Sequence, residues 1–109
     1  MDQKSIISQL VIEEYQKANE KFPMFNSSHE AWAVLKEEIE EFENEAKIVI
    51  ESNIMCWKAV KHNNIHLQKE VLKVAMERSF NAFEELIQVM AMIHKYEMYL
   101  NHFPEEQAF

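Results

Sequence analysis

The chain has 109 residues, with 11 Lys and Arg against 19 Asp and Glu, a formal net charge of −8 at pH 7 and no glycine. That charge argues against a nucleic-acid partner, whose phosphate backbone is met by clustered Lys and Arg. A chain without glycine has few cheap routes to positive φ, which argues against hairpins and glycine-rich phosphate loops.

What remains is an all-α chain. Hydrophobic residues make up 48% and charged residues 28%, an ordinary globular balance. The length predicts one domain, 1–109. Cys56 is the single cysteine, so no intrachain disulfide is expected and a cytoplasmic setting follows. The opening "MDQKSIISQL" lacks the pattern of a secretory signal, and no 18-residue apolar window predicts a membrane span.

The first predicted helix covers residues 3–19, where Ile7, Leu10, Val11, Tyr15 and Ala18 recur at helical spacing. Pro23 disfavours helix at Phe22, so "KFPMFNSS" reads as a loop. Ser27, three residues before Glu30, has the form of a capping box and predicts the start of a long second helix. Ala31, Leu35, Ile39, Phe42, Ala46 and Val49 give that helix its apolar side. It either runs to Lys61 or breaks at "ESN".

In "HNNIH" the adjacent asparagines are the expected left-handed residues. A last helix, residues 67–101, then stops before Pro104. The expected architecture is an antiparallel helical bundle of two long helices and a shorter N-terminal one. Leu72, Met76, Phe80, Phe83, Leu86, Met90 and Ile93 make the last helix apolar over most of its circumference. Three helices cannot cover such a surface, so completion by homo-oligomerisation is expected.

Six of the nine residues in "EEIEEFENE", 37–45, are glutamates. At roughly 100° per residue, Glu38, Glu41 and Glu45 form a ladder beside the apolar stripe, while Glu37 and Glu40 project to the far face. Two readings fit the ladder. One is a solvated acidic face. The other is a set of oxygen ligands for Mg²⁺ or Mn²⁺, hard cations that favour carboxylates and substrate phosphates. On the last helix, Glu85 opens a polar sector shared with Arg78, Asn81 and Gln88, with Glu77, Glu84 and Lys95 at its borders.

"SSHEAWAVLKEEIEEFENEAK" followed by "FEELIQVMAMIHKY" resembles the MazG-like all-α nucleoside triphosphate pyrophosphohydrolases, the short phage-type members in particular. The family pattern E-E-x-x-E matches Glu37-Glu38-Ile39-Glu40-Glu41, and E-x-x-D matches Glu85-Leu86-Ile87-Gln88 with glutamine in place of aspartate. The resemblance implies Mg²⁺, with Mn²⁺ as the alternative, held by Glu38, Glu41 and Glu85, with Gln88 at the fourth position. Geometry alone adds Glu45. It also implies cleavage of a (deoxy)nucleoside triphosphate to monophosphate and pyrophosphate by a homodimer or homotetramer.

Lys73, Arg78 and Lys95 are candidate phosphate contacts or surface ion pairs, and Asn81 is a further candidate substrate contact. Trp32 and Phe25 either stack on a base or pack in the core. His29 is a capping, packing or substrate residue, and Cys56 is expected as a buried thiol. His62 and His66 read as loop residues or as a metal pair. The alternative function is an inactive relative that serves as an acidic protein-interaction module.

Overall fold

The computed structural model describes residues 2–104, which form three α-helices and no strand: α1 (Gln3–Lys21), α2 (Ser28–Lys61) and α3 (Ile65–Leu100). Local chemistry sets each boundary. Asp2 caps α1, its Oδ1 accepting from the Ser5 amide at 2.8 Å. The helix ends at Phe22, whose extended φ of −133° and ψ of 131° are those a residue before proline favours. Ser27 Oγ accepts from the Glu30 amide at 3.1 Å and opens α2. The Glu30 carboxylate accepts instead from Asn26 Nδ2, so the capping box is made on one arm.

α2 does not break at "ESN". Ser52 is buried within it, and its hydroxyl donates to the Ile48 carbonyl at 2.8 Å, so the polar group is satisfied by its own helix. α2 then ends in a Schellman motif. Asn63 adopts φ 53°, its amide donates to Val60 O, and the Asn64 amide donates to Ala59 O. Asn64 also caps α3 through Oδ1, 2.9 Å from the Leu67 amide. The expected left-handed asparagine is Asn63.

The chain divides into two compact units, Met1–Glu38 with Ile87–Phe109 (unit 1) and Ile39–Leu86 (unit 2). Unit 1 draws on all three helices. Its core joins Val11 of α1, Phe25 of the loop, Ala31 of α2 and Ile87, Ala91 and Met92 of α3. Ile7, Tyr15, Val34, Leu35 and Tyr96 pack against it. Leu10, expected on the core side of α1, is exposed.

Unit 2 contains only α2 and α3, joined by the turn after Lys61. Its buried residues are Ser52, Ala59 and Val71 among those described. Ile50, Ile54, Trp57, Leu72, Met76 and Phe80 are exposed, Phe80 at 65%. No helix among the described residues is long and apolar enough to cross a membrane.

Candidate functional site

In unit 2, Glu41 of α2 and Glu85 of α3 form an acidic pair. Burial is the first cause that raises the pKa of Glu85 above its usual range. The charge of Glu41 comes next, then a hydrogen bond with Glu41, then the charges of Glu45 and Glu84. Glu85 Oε2 is buried and has no hydrogen-bond partner. A carboxylate oxygen in that position is costly unless a proton or a cation meets it.

Glu38 lies one turn before Glu41 on the same unbroken helix. Within unit 2, a carboxylate oxygen of Glu41 lies within 4.8 Å of one of Glu85. Glu38 and Glu85 are half-buried and Glu41 is exposed. All the donors are hard carboxylate oxygens, the type that suits Mg²⁺ or Mn²⁺. The donor set therefore fits a divalent cation.

Glu45, the third rung of the ladder, stands outside this group. Arg78 Nη1 donates to both of its oxygens at 3.4 Å, which gives Glu45 a protein cation and leaves Arg78 an ion-paired residue. The ion pair is the second of the two readings of Arg78, and it competes with the metal role expected for Glu45.

Gln88 lies in unit 1, in the wall of a cavity of about 910 Å³ that Glu37 and Glu38 also line. Glu37, expected on the far face, borders this cavity. Its other walls are apolar, from Phe22, Pro23, Phe25, Val34 and Met92. Lys95 completes them and is only 3% exposed, so it is neither a surface residue nor a surface ion pair. Its Nζ donates to Phe22 O at 3.4 Å and sits 4.8 Å from the centroid of the Phe25 ring. Burial lowers its pKa, and the charge of Glu30 opposes that shift.

Phe25 belongs to the core, whereas Trp32 is exposed at 58%, with Lys36 Nζ 5.6 Å from its ring. Core packing is thus right for Phe25 and wrong for Trp32. Asn81, Lys73, His29, His62 and His66 are exposed, and Cys56 is half-buried rather than buried. His94, not singled out by sequence, meets Tyr15 edge-on at 4.6 Å. The apolar setting of Lys95 was also missed, although its signal was present: one lysine in "VMAMIHKYEMYL".

Comparison with family models, with curated proteins and with solved structures gave no match.

Proposed function

We propose that this chain is a MazG-like nucleoside triphosphate pyrophosphohydrolase, dependent on Mg²⁺ or Mn²⁺, that cleaves a (deoxy)nucleoside triphosphate to monophosphate and pyrophosphate. The observation that carries the reading is the pair of Glu41 and Glu85, brought together from two helices within unit 2, with a buried unpartnered oxygen on Glu85. Both are among the positions that the resemblance to E-E-x-x-E and E-x-x-D singles out.

In this reading Glu38, Glu41 and Glu85 hold the cation. When bound, the cation supplies positive charge against the phosphate oxygens and lowers the pKa of a nearby water. A carboxylate oxygen not engaged in that role, on Glu38 or Glu41, orients the attacking water and takes its proton. The water attacks phosphorus, and pyrophosphate leaves. Little covalent chemistry falls to the protein, so positioning and fixed charge do most of the catalysis. Gln88 offers an amide oxygen without charge, which predicts weaker cation binding than an aspartate there. Asn81, exposed on α3, and Trp32, exposed on α2, are the remaining substrate contacts in the proposal.

A second copy of the chain is part of the proposal. A standard interface covers about 800 Å² per partner. The exposed apolar residues of unit 2 are the natural place for it, in a homodimer or homotetramer. With a single cysteine, a cytoplasmic setting completes the reading.

The test is pyrophosphate release from a panel of ribo- and deoxyribonucleoside triphosphates with Mg²⁺ or Mn²⁺. Turnover is expected, and Glu38→Gln or Glu41→Gln should cut kcat/KM by about 100-fold or more with the helical circular dichroism unchanged. No turnover at high enzyme concentration sinks the hydrolase reading. The missing charge at Gln88 favours one alternative, an inactive acidic interaction module. Calorimetry with Mg²⁺ and a non-hydrolysable triphosphate separates the two, because the module predicts no metal-dependent binding.

A further inference from the structure

The buried amine of Lys95 is the feature of unit 1 that packing does not explain. An ammonium has three N–H donors and no acceptor. Among the described residues its one hydrogen bond is to Phe22 O, and at 3.4 Å that bond is long. The face of Phe25 stabilises the charge without taking a directed N–H. Two donors therefore remain for oxygen or nitrogen acceptors in the cavity that Lys95 lines, supplied by water or by a group seated there.

The character of the cavity narrows what that group is. Five glutamates line it, Glu14, Glu20, Glu30, Glu37 and Glu38, against three lysines. A phosphate placed at Lys95 would bring further negative charge into an acidic surround. A neutral carbonyl oxygen satisfies the amine without that repulsion. The walls of Phe22, Phe25, Val34 and Met92 suit a planar ring, and about 910 Å³ is within the range of small-ligand sites.

We infer that the unit 1 cavity seats the base of the nucleotide and that Lys95 donates to a ring carbonyl, which makes keto-bearing bases the preferred substrates. This rests on the hydrolase reading for the phosphate end of the ligand. Guanine and uracil carry an exocyclic oxygen that accepts from the amine. Adenine carries an amino group there, and two donors would face each other. Selectivity arises because the wrong base leaves a buried donor unpaired.

The test uses free nucleosides in the absence of divalent cation, so it does not depend on turnover. Calorimetric titration of the full chain with guanosine, uridine and adenosine should show the first two binding at least tenfold more tightly. Lys95→Met should level the three, with circular dichroism checking its fold; the wild-type comparison stands without the variant. Equal binding of adenosine, no nucleoside binding at millimolar concentration, or a preference retained in Lys95→Met each overturns the inference. Base-blind turnover would remove the inference and leave the hydrolase standing. Keto selectivity without turnover would do the reverse.

Discussion

Units 1 and 2 are built from the same two long helices and bury very different amounts of side chain. In unit 1, α1 and the Phe25 loop supply a third side, and Val11, Ala31, Ile87, Ala91 and Met92 close into a core. In unit 2 there is no third element, and Phe80, Met76, Leu72 and Ile54 lie exposed. Composition does not separate the two stretches, since both are rich in Ile, Leu, Met and Phe. Cover does. An apolar helix face becomes a core only where the same chain brings something to lay over it, and otherwise it is a surface looking for a partner.

The comparison breaks most directly at Phe80. If a second copy covers unit 2, Phe80→Asp should raise the dissociation constant of the oligomer by about 100-fold or more, as a charge in a desolvated interface does. Sedimentation would then show monomer at micromolar concentration. A wild-type chain that sediments as a monomer at 100 times that concentration, roughly 0.1 mM, would leave unit 2 uncovered and end the contrast.

A smaller effect sharpens it. In the monomeric Phe80→Asp background, Ile87→Ala should cost about 2–5 kcal/mol in urea unfolding, the range for a buried Ile cut back to Ala. Ile54→Ala in the same background should cost no more than about 0.5 kcal/mol, because Ile54 is exposed. Equal costs would show that the units are not differently packed.

The smallest effect concerns pH and belongs to unit 1 alone. Burial lowers the Lys95 pKa, so between that lowered value and the ordinary 10.5 the folded chain binds fewer protons than the unfolded one. Stability contributed by this site therefore rises with pH across that window. Below it, the charged amine penalises folding. The stability of wild type relative to Lys95→Met should increase from pH 7 to pH 10 by urea titration, and a flat difference would remove the desolvated amine.

Much of this was legible in the residues. The absence of glycine, the proline at 23 and the paired asparagines at 63 and 64 announced three helices and both connections. Helical phase put Glu38 and Glu41 beside the apolar stripe and Glu85 in a polar sector. What phase cannot supply is the partner across the gap. Glu45 looked equivalent to Glu41 until α3 placed Arg78 against it. Trp32 is apolar in type, yet it stays exposed, with Lys36 of its own helix beside the ring. Lys95 reads as a border residue on a helical wheel, and its burial depends on the loop carrying Phe22 and Phe25, whose path no periodicity encodes.

The turn at Asn63 bears on how the chain folds as well as on where α2 stops. Its amide and that of Asn64 close the end of α2, and Asn64 Oδ1 starts α3 within a few residues. Ala59 and Val71, buried on either side, are separated by little chain, so the entropy of bringing them together is small. Contacts of such low sequence separation form fast. Closing the α2–α3 turn therefore costs less chain entropy than bringing α1 from the far end of the sequence into the core of unit 1.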